Sequence, residues 1–208
     1  MGCHRAAGLA VALFACSSAA AGERGGSHPF DVEQLAGYPA ELLVFVEIPA
    51  GSQTKYETDK QSGFVFVDRF LSAPVHYPTN YGSVPGTMMP DGDPLDALVI
   101  TRAPLQAGVM IAVRPVGVMR MIDGDDVDDK LVAVPITKLD PSFDGITSVL
   151  DLPAIDREQI AAFFTSYKTL PKGRGAVEVP GFDGPEAVAA LAGPARDAYA
   201  TSQNGAHD

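Results

Sequence analysis

The body of the chain opens with short apolar stretches that have the length and alternation of β-strands. Val, Ile and Phe dominate these stretches, and turn-forming residues such as those at 59–62 separate them. This pattern predicts strands over residues 42–48, 54–58, 63–70, 110–121 and 131–136.

Helical periodicity appears only towards the end of the chain. Apolar residues recur at the spacing of one helical face at Ile160, Phe163, Phe164 and Tyr167. We therefore expect a helix over about 156–170. An Ala-rich stretch over 185–200 predicts a second helix, which Gly193 and Pro194 should break or kink because proline lacks an amide donor. Strands followed by helices indicate an α+β domain, here a small barrel with flanking helices.

The N-terminus has the features of a targeting segment. Arg5 supplies a positive charge, residues 6–15 are apolar but too few to span a bilayer, and small residues at 19–21 fit a cleavage site. A bacterial lipoprotein leader that ends at Cys16 is the alternative, and only lipidation there would attach the protein to a membrane. We expect export, for example to a periplasm, with a cytoplasmic location as the alternative.

These features divide the chain into four segments. They are the signal peptide or lipoprotein leader (1–21), a Gly-rich polar linker (22–37), the folded domain (38–200) and a disordered tail (201–208). Both cysteines, Cys3 and Cys16, fall in the leader. Cleavage after Ala21 would therefore leave a chain without thiol chemistry or disulfides.

Charge narrows the class of partner. The formal net charge is −11, which argues against a nucleic-acid binder because such proteins usually carry a basic surface. An acidic protein also repels anionic substrates. A phosphate-containing substrate would therefore need bound cations that reverse the local charge.

Two clusters of carboxylates interrupt the apolar pattern. The first lies in a turn-forming hexapeptide and contains Asp91, Asp93 and Asp96. The second contains Asp123, Asp125, Asp126, Asp128 and Asp129. One such cluster alone would be more typical of a solvated loop. Two clusters between apparent strands predict a shared site for hard cations such as Mg²⁺, Mn²⁺ or Ca²⁺, because closely spaced carboxylates repel one another unless a cation lies between them.

Cationic and phenolic side chains occur in elements that otherwise look packed. They are Lys55, Arg69, Lys130, Lys168, Tyr77 and Tyr81. Taken singly, each cation fits a rim charge with a buried stem, and each tyrosine fits a core or turn position.

Together, the order of these motifs resembles the family I soluble inorganic pyrophosphatases. Residues 91–96 match the family signature D-x-D-P-x-D. Flanking motifs match in the same order: Val46-Glu47-Ile48-Pro49, Lys55-Tyr56-Glu57, Val67-Asp68-Arg69-Phe70, Tyr77-Pro78-Thr79-Asn80-Tyr81-Gly82, Arg114-Pro115-Val116-Gly117, Lys130-Leu131-Val132-Ala133-Val134-Pro135 and Tyr167-Lys168. The resemblance covers roughly residues 37–195.

The resemblance implies a five-stranded barrel like an OB-fold, with helices packed outside, over residues 38–200. It implies hydrolysis of inorganic pyrophosphate to two orthophosphates with several Mg²⁺ ions, Mn²⁺ being an alternative metal. It also implies a homo-oligomer, a hexamer in many bacterial members. The helix segment 161–166 lacks the His residues that many hexameric members carry there, so the resemblance leaves the oligomer size open.

The resemblance assigns roles by position. The implied metal ligands are Asp91, Asp96, Asp123, Asp128 and Glu47. Asp93 is implied to be the base that takes a proton from the attacking water. Phosphate oxygens would be gripped by Lys55, Arg69, Tyr81, Lys130, Tyr167 and Lys168, all of them except Tyr167 also counted as catalytic. Glu57 and Tyr77 would support this network.

Two other functions stay open at the level of sequence. One is a non-catalytic module that binds metal or phosphate on the same barrel. The other is a broader phosphohydrolase that attacks nucleotides or polyphosphate. A binding module would show no turnover of pyrophosphate, which distinguishes it from the family's activity. A broader phosphohydrolase is recognised by comparing nucleotides and polyphosphate with pyrophosphate as substrates.

Overall fold

The computed structural model describes residues 28–172 and 175–205. The predicted leader, residues 22–27 of the predicted linker and residues 206–208 of the predicted tail lie outside the described residues. Within the described ranges, no helix has the length and apolar character needed to cross a bilayer.

The described residues form nine strands and two α-helices. The strands are β1 (Leu42–Ile48), β2 (Thr54–Thr58), β3 (Val65–Phe70), β4 (Asn80–Ser83), β5 (Asp96–Val99), β6 (Met110–Asp123), β7 (Asp126–Val127), β8 (Lys130–Pro135) and β9 (Val177–Asp183). The helices are α1 (Ala154–Ser166), between β8 and β9, and α2 (Val188–Gly205), at the C-terminal end. Short 3₁₀ turns lie at Pro29–Asp31, Pro141–Phe143, Val149–Asp151 and Pro185–Ala187.

Five strands pair in a closed ring in the order β1, β4, β5, β8, β6 and back to β1. All five pairings are antiparallel except β5 with β8. The long β6 also pairs with β7 and β9 beyond the ring. At the β1–β4 pairing, a side chain in place of Gly82 would come within 2.1 Å of the Phe45 carbonyl oxygen, so this approach requires glycine.

The core consists of two apolar clusters on opposite faces of the ring strands. Leu98, Val132 and Val134 belong to the cluster that packs against α1. Their neighbours in β5 and β8 belong to the cluster that packs against α2. Successive strand residues point to opposite faces, so both strands are buried on both sides and read as continuous apolar runs in the sequence.

The hairpin of β2 and β3 forms a separate two-stranded sheet. Its register places Lys55 opposite Arg69. Phe64, Phe66 and Phe70 are exposed on it. The hairpin therefore has little core of its own, and its position depends on contacts with the ring.

The predicted strands are all present, with shifts of up to two residues at their ends. The sequence pattern did not predict β4, β5, β9 or the two-residue β7. The first two have only four residues each, and β9 contains Pro180 and Gly181, which weaken a strand pattern. Helix α1 begins and ends a few residues before the predicted bounds.

Of the predicted break or kink at Gly193 and Pro194, the break is wrong, because α2 continues through both residues. Pro194 lies on the exposed side, whereas Ala192 and Ala195 are buried against the sheet and hold the helix in place. Because α2 extends to Gly205, residues 201–205 of the predicted tail are helical.

The described part of the predicted linker packs on the domain. The Gln34 side chain donates to the carbonyls of Leu43 and Pro85 and accepts from the Leu43 amide at 2.8 Å. Tyr199 of α2 donates to Asp31 at 2.6 Å. Residues 28–37 are therefore fixed to both ends of the fold rather than free of it.

Candidate active site

One cavity of about 1110 Å³ brings the two acidic clusters and the cationic residues together. Every residue that the sequence assigned to the site lines this cavity: Glu47, Lys55, Glu57, Arg69, Tyr77, Tyr81, Asp91, Asp93, Asp96, Asp123, Asp128, Lys130, Tyr167 and Lys168. The ring strands supply one wall, the β2–β3 hairpin a second, and the end of α1 a third.

Lys130 lies at the centre of the acidic wall. It is 2% exposed, and its Nζ donates to Asp96 Oδ2 at 2.7 Å and to Asp128 Oδ1 at 2.8 Å. Burial acts to lower the pKa of Lys130, but the two carboxylates outweigh burial and raise it to about 12. At neutral pH this side chain is therefore an ammonium ion held between two carboxylates.

Tyr81 contacts the same carboxylate pair from β4. Its hydroxyl donates to Asp96 Oδ2, and Lys130 Nζ lies 5.6 Å from the centre of its ring. Burial, reinforced by the nearby Asp96 and Asp128, raises the pKa of Tyr81 well above its ordinary value. The phenol therefore remains a neutral hydrogen-bond donor.

Carboxylate crowding is greatest around Asp128. Burial raises the pKa of Asp128, and Asp96 and Asp123 add to this effect while Lys130 opposes it. Asp123 in turn forms an ion pair with Lys168, which follows α1. The two acidic loops thus meet, as the sequence predicted, and each carboxylate is close to an ammonium group.

Glu47 is buried behind these residues, with 5% of its surface exposed. Its Oε1 accepts from the Thr58 amide at 2.9 Å and from the Thr58 hydroxyl at 2.5 Å, and its Oε2 accepts from Ser83 Oγ at 2.8 Å. Burial raises the pKa of Glu47 despite these hydrogen bonds. The carboxylate therefore ties the hairpin to β1 and β4, a contact that sequence patterns did not reveal.

The hairpin presents its cations to the opposite side of the cavity. Lys55 and Arg69 face each other across the strands, and both contact Asp68, at 3.2 Å and 2.7 Å respectively. Lys55 also lies 3.4 Å from Glu57. Asp68 offsets the repulsion between two adjacent positive charges, although the sequence motifs assign it no separate role.

The turn of the hairpin reaches the acidic hexapeptide through Lys60. Lys60 Nζ forms an ion pair with Asp93 and donates to the Gly92 carbonyl at 3.2 Å. Gly92 has a φ of 84°, a left-handed conformation that favours glycine, and the Asp91 side chain accepts from the Asp93 amide at 2.9 Å. Sequence reasoning missed Lys60 because nothing in a turn lysine indicates a distant partner.

Aromatic side chains close the third wall. Tyr77 packs on Phe163 with ring centres 4.6 Å apart, and Phe163 stacks on Tyr167 at 5.3 Å. Burial raises the pKa of Tyr77 and of Tyr167 above the ordinary range. Both hydroxyls therefore stay protonated beside the charged groups.

The donor chemistry of the cavity fits hard cations. The carboxylates of Asp96, Asp123 and Asp128 supply only oxygen ligands, which Mg²⁺ and Mn²⁺ prefer, and each already holds a positive group. Among the described residues, no three carboxylate or imidazole groups converge on a single point. The carboxylates are thus gathered in one cavity but are paired with lysines rather than with one another.

An acidic wall faces basic side chains across one cavity, an arrangement that suits the class of hydrolases that act on phosphates through bound cations. The model of the family described as "Inorganic pyrophosphatase" matches residues 44–199. The inorganic pyrophosphatase of Salmonella typhimurium is 50% identical over 153 residues, which cover 73% of this chain and 86% of that protein. The corresponding protein of Vibrio vulnificus is 49% identical over 167 residues, or 80% of this chain and 93% of that protein.

Solved structures agree with the sequence matches. The inorganic pyrophosphatase of Thermus thermophilus aligns with a TM-score of 0.79 at 33% identity, covering 84% of this chain and 99% of that one. The chain therefore belongs to the inorganic pyrophosphatase family, and the family I soluble membership predicted from its motifs is confirmed.

Proposed function

We propose that this protein hydrolyses inorganic pyrophosphate to two orthophosphates in a Mg²⁺-dependent reaction. Family membership over most of the chain supports this activity. The single observation that carries the proposal to these residues is that every residue to which the family's motifs assign a role lines one cavity.

Substrate binding falls to the basic side chains around the cavity. Lys55 and Arg69 lie side by side on the hairpin, and Lys130 and Lys168 approach from the ring and from the end of α1. Tyr81 and Tyr167 add neutral hydroxyl donors. An anion with several charges would replace the present carboxylate partners of these groups, since phosphate oxygens accept the same hydrogen bonds.

The metal ligands in this proposal are Asp91, Asp96, Asp123, Asp128 and Glu47. Bound Mg²⁺, or Mn²⁺ as an alternative, would neutralise the substrate and lower the pKa of a coordinated water. The carboxylates supply the negative charge that holds several cations. Displacing Lys130 and Lys168 from these carboxylates leaves both ammonium groups available to phosphate oxygens.

Asp93 is the proposed proton acceptor. It lies in the loop before β5, and Lys60 is paired with one of its oxygens. A carboxylate in this position takes a proton from the attacking water while the basic residues hold the phosphoryl oxygens. Loss of Asp93 should therefore reduce turnover more than it weakens metal binding.

Several properties of the whole protein complete the proposal. The ring of five strands is an OB-like barrel, flanked by α1 and α2. The protein forms a homo-oligomer, for which a hexamer is the size that the family resemblance suggests. It is exported through the segment 1–21, with the cytoplasm as the alternative location.

Phosphate release from pyrophosphate with Mg²⁺ tests this function. We expect turnover by the wild-type protein and a loss of at least about 100-fold in Asp93→Asn, the size of a general-base contribution. Asp125→Asn is the matched control, because Asp125 is an exposed carboxylate that does not line the cavity. Undiminished activity in Asp93→Asn would refute the role of Asp93.

Two further outcomes separate the alternative functions. Saturable pyrophosphate binding without turnover would identify a binding module. Faster release of phosphate from ATP or tripolyphosphate than from pyrophosphate, with either Mg²⁺ or Mn²⁺, would identify a broader phosphohydrolase.

A further inference from the structure

A network of ion pairs connects the acidic wall of the cavity to β9. Arg120 Nη1 donates to Asp129 Oδ2 at 2.5 Å, and Arg120 Nε donates to Asp183 Oδ2 of β9 at 2.6 Å. Asp129 is 7% exposed. A carboxylate this buried is costly unless it is paired, so Arg120 is the partner that allows Asp129 to lie here.

Asp129 and Arg120 belong to two chain segments that run in register. Ile122 pairs with Val127, and Met119 pairs with Lys130. Two residues separate these pairs on each segment, so Arg120 lies directly opposite Asp129. Opposite charges at facing positions stabilise such a pairing.

The backbone between these pairs is irregular at one point. The Asp128 amide donates to the Met121 carbonyl at 2.9 Å, as in a regular ladder. The Met121 amide, however, donates to Asp129 Oδ1 at 3.0 Å, whereas in a regular ladder it would bond to the carbonyl of residue 128. The Asp129 carboxylate therefore takes the place of one backbone acceptor of the ladder and ties residue 129 to β6.

The two residues next to Asp129 in the chain carry a central ion pair of the acidic wall. Asp128 precedes it and Lys130 follows it, and these two side chains meet in the cavity at 2.8 Å. Asp129 itself lines the cavity, whereas its partners Arg120 and Asp183 do not. Movement of Asp129 would be transmitted to both neighbours, because they share its backbone.

We propose that Asp129 and Arg120 are positioning residues, which hold Asp128 and Lys130 in the orientation that metal and substrate binding require. This inference rests on the proposed function. Asp183 on β9 then supports the Arg120–Asp129 pair, because it holds the other end of the Arg120 guanidinium.

The experiment compares Asp129→Asn with Asp140→Asn. Asp140 is a close match, since it is also buried, pairs with an arginine (Arg102 Nε at 2.7 Å) and accepts from a backbone amide (Ser142 at 3.1 Å). Neither Asp140 nor Arg102 lines the cavity. Each variant is measured for urea stability, for Mn²⁺ binding by titration calorimetry without substrate, and for kcat and KM with pyrophosphate.

We expect Asp129→Asn to weaken Mn²⁺ binding and to lower kcat by about 10-fold each, the effect typical of residues that orient a metal ligand. Asp140→Asn should alter stability by a similar amount but leave Mn²⁺ affinity and kcat within about twofold of wild type. Equal effects of the two substitutions on Mn²⁺ binding and kcat would overturn the proposal.

Arg120→Ala covers the case in which Asp129→Asn does not fold. This substitution removes the same ion pair, and Arg120 does not line the cavity. Arg120→Ala should weaken Mn²⁺ binding in the same direction, and an unchanged affinity would count against the proposal. In the variant that combines Asp129→Asn and Arg120→Ala, the two losses of Mn²⁺ affinity should not add, since both substitutions break the same ion pair. If the wild-type protein shows no turnover, the proposed function fails, and the calorimetric comparison alone decides the positioning role.

Discussion

At the residue scale, Lys130 occupies the place between two carboxylates that a cation could also occupy. Its ammonium is buried, and it makes hydrogen bonds of 2.7 Å and 2.8 Å with Asp96 and Asp128. Removing one partner of a buried ion pair leaves the other charge desolvated without compensation. The stability of the metal-free protein should therefore depend on this lysine, and bound cations should replace part of its effect.

We expect Lys130→Met to lower the free energy of unfolding by about 3 kcal/mol without metal. Added Mg²⁺ should stabilise this variant more than it stabilises wild type, since metal then offsets carboxylates that no longer have an ammonium partner. Urea unfolding with and without Mg²⁺ measures both effects, with Lys138→Met as the exposed control. An equal Mg²⁺ effect in the variant and in wild type would contradict this account of Lys130.

Removing the charge of Glu47 should not lower stability, in contrast to the loss expected on removing the charge of Lys130. The pKa of Glu47 is raised in the folded state, mainly by burial, so folding favours the protonated carboxyl. As pH rises from the unfolded pKa, near 4.5, through the higher folded value, the deprotonated group lowers the stability of the metal-free protein. A neutral amide at this position removes that loss, and its oxygen can still accept from Thr58.

We therefore predict that Glu47→Gln is at least as stable as wild type at pH 7 without metal, yet hydrolyses pyrophosphate more slowly. Its stability should also vary less with pH above 4.5. Urea unfolding over pH 4.5 to about 8, together with a phosphate-release assay, tests both parts. Glu41→Gln, at an exposed position, should change neither property, and a less stable Glu47→Gln would show that the charged carboxylate is needed for the fold.

At the scale of elements, the β2–β3 hairpin is a part of the site that lies outside the main sheet and carries exposed aromatic side chains. It carries Lys55 and Arg69, and it is fixed to the rest of the molecule through Glu47 and through Lys60 at its turn. The alternation of its residues predicts two strands. The pattern does not show where the hairpin packs, because contacts such as Lys60 with Asp93 depend on the tertiary fold.

Lys60→Ala should loosen the hairpin turn with little loss of stability. Its ion pair with Asp93 is exposed, and such pairs contribute about 0.5 kcal/mol, equivalent to about a twofold change in an affinity. We expect KM for pyrophosphate to rise by about twofold while the unfolding midpoint stays nearly constant. Steady-state kinetics beside Lys138→Ala tests this, and an unchanged KM would mean that the Lys60 contact does not position the hairpin cations.

Elements also differ in how well their sequences predict them. The apolar run of β1 is long enough to be recognised, whereas β5 has four residues and its first, Asp96, belongs to the acidic hexapeptide. Pro194 would end an isolated helix, but buried alanines on either side hold α2 against the sheet. Tertiary packing decides these cases, and a local pattern does not contain it.

At the scale of the whole molecule, the sequence predicts the composition of the site better than its geometry. Every residue to which the motifs assign a role lines the cavity, whereas other lining residues such as Lys60 carry no motif. The motifs do not reveal the connections behind it, such as Arg120 with Asp129, since a partner across a sheet has no fixed spacing in sequence. The family motifs therefore predict which residues form the site, while the supporting contacts emerge only from the fold.

The distribution of charge leads to a prediction for the intact protein. The net charge is −11, and several of the carboxylates converge on one cavity, so cations that bind there should stabilise the folded state selectively. At about 100 times its dissociation constant, Mg²⁺ should add about 2.7 kcal/mol to the free energy of unfolding. NaCl at matched ionic strength should add less, because screening acts on all surface charges alike and does not neutralise the cavity.

The combined variant Asp96→Asn and Asp128→Asn should lose the Mg²⁺-specific part of the stabilisation while it keeps the NaCl response. Thermal or urea unfolding in the two salts measures the difference, and equal stabilisation by both in wild type would place the cations on the general surface instead of in the cavity.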